Sequence, residues 1–143
     1  MIVPDVNVLV YAFRPDAPDH SRWRGWLTDR LGDAEPLGLA DHVLAGTVRV
    51  LTHPRVFDPP DPIADALVYV ETLRAHPACV RLEPGERQWS VFTRLCRDAD
   101  ARGNLVPDAY LAAMVIESGA ELATSDRDFA RFRGLRWRHP LAG

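Results

Sequence analysis

Short apolar runs alternate along this chain with longer stretches in which apolar residues return every three or four positions. The runs predict strands over residues 2–5, 37–40, 79–82, 121–125 and 135–138. The helical period predicts helices over 7–13, 19–31, 41–52, 63–75 and 86–102, with a sixth from Pro107 to about Ser118. In the second of these Trp23, Trp26, Leu27 and Leu31 share a face. In the third Val43, Leu44, Thr47, Val48 and Leu51 point inward, and in the fourth Ile63, Ala66, Leu67, Val70 and Leu73 do so. His53-Pro54 stops the third helix. Gly103 suits the C′ position of the fifth, and Pro107 the first turn of the sixth. Loops rich in Pro and Asp are expected at 14–18 and 57–62, and a short turn at 127–132. Repeated strand–helix alternation predicts an α/β fold with a mostly parallel central sheet, and right-handed crossovers make it a doubly wound sandwich.

Length and composition narrow the picture. At 143 residues the chain suits one domain over 1–143. Apolar residues make up 47% and charged residues 26%, the balance of a soluble protein, and no run approaches a membrane span. No basic region precedes an apolar run at the start, so no signal peptide is expected. Two cysteines without metal spacing read as reduced thiols of a cytoplasmic protein. The net charge of −3 weighs weakly against nucleic acid, but its distribution points the other way. All 17 basic residues are Arg, whose fork suits phosphate. A GC-rich genome would also account for that choice. Arg127, Arg131, Arg133, Arg136 and Arg138 crowd the C-terminal segment, and Arg49, His53 and Arg55 form a second patch.

Four aspartates carry the candidate chemistry. Asp5 ends the first predicted strand, and Asp41 and Asp126 each directly follow one, so a parallel sheet would bring all three to its carboxyl edge, where open α/β sheets bind ligands. Asp108 lies at the start of a helix. Each alone could be a cap or a turn residue. Together they form a cluster whose mutual repulsion a cation would relieve, and oxygen donors without clustered His or Cys point to Mg²⁺ or Mn²⁺. Asp5, Asp108 and Asp126 are the expected metal ligands and catalytic residues. Asn7, Asp41, Thr124 and Asp128 are expected in support, and Arg14, Arg49, Arg127 and Arg131 as contacts to a polyanionic substrate.

The segment Ile2-Val3-Pro4-Asp5-Val6-Asn7 resembles the opening D-x-N of PIN-domain nucleases. Residues 106–112 and 122–129 resemble the third and fourth acidic motifs of that family. Arg49–Arg55 and Leu135–Pro140 resemble the VapC toxins of bacterial toxin–antitoxin pairs, particularly those of mycobacteria and related actinobacteria. The resemblance spans essentially the whole chain. It implies a three-layer α/β/α PIN fold, Mg²⁺- or Mn²⁺-dependent cleavage of structured cellular RNA such as tRNA or rRNA, a homodimer, and inhibition by a VapB-type antitoxin. One departure stands out. PIN domains usually carry a Glu in the helix after the second strand, where this chain has Gly46. The alternative reading is therefore a catalytically weakened PIN domain that binds RNA or a partner.

Overall fold

Apolar burial and strand register place the parallel sheet first. The computed structural model describes residues 1–143. Five strands, β1 (Ile2–Pro4), β2 (Leu37–Ala40), β3 (Cys79–Leu82), β4 (Glu121–Ala123) and β5 (Trp137–Arg138), lie in the order β3-β2-β1-β4-β5, every neighbouring pair parallel. β1 and β2 are buried at every position, which is why they read as unbroken apolar runs rather than alternating ones.

Six helices, α1 (Val6–Phe13), α2 (His20–Leu31), α3 (Asp41–Leu51), α4 (Ile63–Ala75), α5 (Gln88–Ala99) and α6 (Leu105–Ser118), form the crossovers. The contacts divide them into two groups: α1 packs on α2 and α3, α3 packs on α4, and α5 packs on α6. Right-handed connections put α1–α4 on one face and α5–α6 on the other, giving three layers. The core joins both faces through the sheet, with Leu9, Leu37, Leu95, Met114, Leu122 and Phe129 fully buried. No helix is long and apolar enough to cross a membrane.

Three local expectations need correction. α6 begins at Leu105, so Pro107 occupies the third helical position rather than the first. The missing amide costs nothing there, because the first four amides of a helix have no internal acceptor. α5 ends at Ala99, and Asp100, not Gly103, takes the left-handed capping conformation (φ 47°). Gly103 also has positive φ, within the turn that leads to α6. On α4 only Ala66, Val70 and Leu73 are buried, while Ile63, Leu67 and Val68 are exposed. α4 is the outermost helix of its face, so one narrow stripe satisfies its packing and the remaining apolar residues stay in solvent.

Candidate active site

The order of the sheet reverses between β1 and β4, and the chain leaves these neighbouring strands in opposite directions. This switch point opens a crevice at their carboxyl ends. Asp5 directly follows β1 and is buried. Its Oδ1 accepts the Val6 amide at 2.7 Å, capping α1. Its Oδ2 accepts the Thr124 hydroxyl at 2.9 Å. Thr124 is fully buried just beyond β4, and its oxygen in turn accepts the Asp126 amide at 3.0 Å. One hydroxyl thus ties the first acidic segment to the last, 119 residues apart.

Asp108 reaches the same crevice from the first turn of α6. It lines a cavity of about 420 Å³ with Asp5, Asn7, His42, Gly46 and Arg49, closed on its apolar side by Val56 and Phe57 among others. The Asn7 amide oxygen sits 3.5 Å from the Ser125 amide, long for a hydrogen bond. Asp126 does not line this cavity. Its Oδ1 accepts the Asp128 amide at 2.9 Å and caps the 3₁₀ turn Arg127–Arg131.

The charges show that these acids are neighbours. Partial burial first, then repulsion by Asp5, Asp126 and Asp128, pushes the Asp108 carboxyl up to about 7. Burial also raises Asp5 above its ordinary value; the Thr124 hydroxyl and the Val6 amide oppose that, and Asp126 adds repulsion. No three acids, as placed, close into a metal-binding group. The donor set still suits a hard divalent cation. It is all oxygen, it holds like charges in partial burial, and Arg49 is the one Arg among the residues lining the cavity.

Two expected site residues stand elsewhere. Asp41 begins α3 beyond β2, one strand away from the switch point. Arg74 of α4 and Arg81 of β3 both pair with it at 2.9 Å, and Arg74 first, then Arg81, holds its carboxyl below the usual range. It does not line the cavity. Arg14 was expected on a substrate and is instead buried. Its fork binds Asp16 at 2.8 Å through two nitrogens, and its third nitrogen donates to the Pro59 carbonyl and to Asp61. Phe57 stacks against the guanidinium at 4.2 Å. Arg49, Arg127 and Arg131 are exposed; Arg127 faces a second cavity, and Arg131 lies beside Asp128 at 3.7 Å.

Sequence reasoning missed His42 and Asn104, both on the cavity wall. For His42 a signal existed, since it lies four residues before Gly46 and so shares its helix face. Asn104 could not be found that way, because it precedes α6 in a turn with no period.

The Thr124 hydroxyl touches Asp5 rather than the open cavity, so its part is to position. Thr124→Val should lower any cleavage roughly 10–100-fold, as removal of an orienting partner does. It should also raise the Asp5 carboxyl further and move the acid limb of the pH–rate profile to higher pH, with Thr124→Ser restoring both. An unchanged profile for Thr124→Val would show that this contact is structural only.

A model of the PIN domain family matches residues 2–135. Ribonuclease VapC43 of Mycobacterium tuberculosis is 53% identical over 143 residues, covering 100% of this chain and 97% of that protein. Ribonuclease VapC25 of the same species is 39% identical over 140 residues, covering 98% of this chain and 99% of that protein. Among solved structures, VapBC2 from Rickettsia felis, bound to a promoter DNA fragment, superposes with a TM-score of 0.72 over 96% of this chain and 98% of that one, at 17% identity. Mycobacterium tuberculosis VapC20, described as a sarcin–ricin loop cleaving toxin, does so with 0.68 over 95% and 99%, at 16% identity. Likeness at that identity bears on the fold alone.

Proposed function

The chain belongs to the PIN-domain family and, within it, to the VapC ribonucleases, and on that premise we propose that it is a divalent-metal-dependent endoribonuclease, the toxin of a type II toxin–antitoxin pair, acting in the cytoplasm on structured RNA such as tRNA or rRNA. The observation that carries this reading is the convergence of Asp5 and Asp108 on one cavity at the sheet's switch point, with Asp126 close enough for its charge to act on both. One PIN domain over residues 1–143 is the unit we propose.

Asp5 and Asp108 would hold Mg²⁺ or Mn²⁺ directly, and Asp126 would assist through the carboxylate oxygen that its turn leaves free. When bound, the ion supplies charge neutralisation and Lewis acidity for in-line hydrolysis of a phosphodiester. The protein's own groups do the rest. Thr124 fixes the Asp5 rotamer, Asn7 presents its amide to the cavity, and Asp128 adds negative charge behind Asp126. Arg49 on the rim, with Arg127 and Arg131 along the same edge, would hold the RNA backbone. Val56 and Phe57 give the cavity one apolar wall.

The same cavity supports a VapB-type antitoxin as partner. Its acids would accept a cationic side chain, and its apolar wall would seat the flanking residues. Ile63, Leu67 and Val68, exposed on α4, support further assembly, including a homodimer. The test is cleavage of cellular RNA by the purified protein with Mg²⁺, with EDTA, and after Asp5→Ala. Activity that survives EDTA or the substitution would refute the metal-nuclease reading.

Gly46 favours the second reading, a weakened PIN domain serving as a binding module. It lies on the cavity wall and contributes no carboxylate. A β-carbon there would meet Val6 Cγ2 at 2.9 Å. Val6 sits in a helix, where a β-branched side chain has one favoured rotamer, so it yields with difficulty. Gly46→Glu alone should therefore cost stability. Combined with Val6→Ala, it should add a ligand and lower the Mg²⁺ concentration that half-saturates cleavage, by roughly tenfold (about 1.4 kcal/mol of added binding). No change in Mg²⁺ dependence in the folded double variant would show that position 46 does not face the metal.

A further inference from the structure

The C-terminal Arg-Trp-Arg-His segment builds a second cavity on the same sheet edge as the acids. It measures about 680 Å³, within the roughly 300–1,000 Å³ range of ligand sites. Arg22 from α2, Arg127 from the 3₁₀ turn, and Arg138 and His139 from the end of β5 surround it, against Asp19 as the one acid. Trp137 and Leu141 give it an apolar wall. Trp23, buried beneath, packs on the His139 ring at 5.3 Å, and Arg22 ties the C-terminal segment to α2 through the Leu141 carbonyl at 3.0 Å. The two cavities thus have opposite electrostatic character.

Their spacing is set by the sheet. β5 pairs in parallel with β4, so Arg138 and His139 emerge at the same edge as Thr124. The Thr124 amide donates to the Arg138 carbonyl at 3.1 Å, so the backbone that supports Asp5 also positions the second cavity. Two strand spacings, roughly 10 Å, separate the ends of β1 and β5. Arg127 makes no ion pair, while Arg138 is held by Glu121 at 2.7 Å.

We propose that this cavity is a nucleotide subsite for single-stranded RNA flanking the scissile bond. Arg127 contacts a phosphate, with Arg22 and Arg138 adding charge, and Trp137 offers its ring to the base. Aromatic stacking beside a cationic groove is how proteins hold unpaired strands. The subsite rests on the ribonuclease reading above and adds where the strand runs and which residues select it.

The test measures binding of a fluorescein-labelled single-stranded oligoribonucleotide of about a dozen nucleotides, a length one groove can span. Anisotropy is read with Asp108→Asn protein, so that the probe survives. Arg127→Gln should weaken binding several-fold and make its logarithmic salt dependence shallower by about 0.7, the loss of one single-strand phosphate contact. Trp137→Leu should weaken it roughly 5- to 100-fold with the salt slope unchanged. Arg127 is exposed, so its variant keeps the proposal testable even if Trp137→Leu unfolds. If the unsubstituted chain cleaves RNA with Mg²⁺ while Arg127→Gln binds the probe like its parent, the subsite is wrong and the nuclease reading stands. If the unsubstituted chain neither cleaves nor binds, the nuclease reading fails and the subsite with it. Arg127→Gln that keeps RNA but loses a protein partner would reassign the cavity to that partner.

Discussion

Asp108→Asn should abolish RNA cleavage and at the same time make the metal-free protein more stable above neutral pH. Both effects follow from one geometry. The substitution keeps the shape of the side chain and removes a charge placed among three other acids. Loss of a metal ligand should exceed the roughly 10–100-fold cost of losing a supporting contact. The stability effect has a definite sign. In the folded chain the Asp108 carboxyl keeps its proton up to about 7, against an ordinary value of 3.8. A carboxyl with a raised folded value favours folding at low pH and loses that advantage as pH climbs from about 4 to about 7. The melting temperature of the metal-free parent should carry this downward component across that window, and Asp108→Asn should lack it. Above pH 7 the variant should melt higher. Mg²⁺ should then raise the melting temperature of the parent but much less that of the variant, and its affinity for the parent should fall as protons compete below about 7. A folded Asp108→Asn protein that cleaves at the parental rate would end the catalytic assignment, whatever its stability.

The elements were legible because their signals are local. The strand at 79–82 and the helix at 63–75 stand where the pattern puts them. Strand ends at a parallel edge are a consequence of topology, so Asp5 and Asp126 could be brought together from sequence alone. Asp41 satisfies the same rule and is still apart from them, because order within the sheet, not the edge, decides proximity. β2 lies on the far side of β1 from β4, and Arg81 reaches Asp41 from β3. No period in the sequence encodes that order. Thr124 was expected in support, but its bridge to Asp5 was not legible, because the partner lies 119 residues away. The exposed residues of α4 were misjudged for a related reason. Helical spacing says which residues share a face but not what that face meets.

Arg14 shows how a chemically sound assignment fails on burial, and its replacement by Ala should give the largest loss of stability among these substitutions. A free guanidinium beside an acidic segment would suit phosphate. Here its side chain is 10% exposed, and its nitrogens are occupied by Asp16, Asp61 and the Pro59 carbonyl. The Asp16 pair is open to water on its acid side and contributes little. Asp61, with 17% of its side chain exposed, would be left as a largely desolvated carboxylate. Removing one partner of such a pair costs roughly 3 kcal/mol. Phe57 would lose the cation stacked on its ring, and the loop from Phe57 to Asp61 would lose its tether to the end of α1. Because Val56 and Phe57 wall the acidic cavity, cleavage should fall as well, through the loop rather than through contact with RNA. Arg14→Lys should rescue little, since an ammonium cannot reproduce the planar fork. Chemical denaturation and the salt dependence of RNA binding separate the two roles. A structural clamp predicts a lower denaturation midpoint with an unchanged salt slope in the folded fraction. Normal stability with a shallower slope would return Arg14 to the RNA-binding surface.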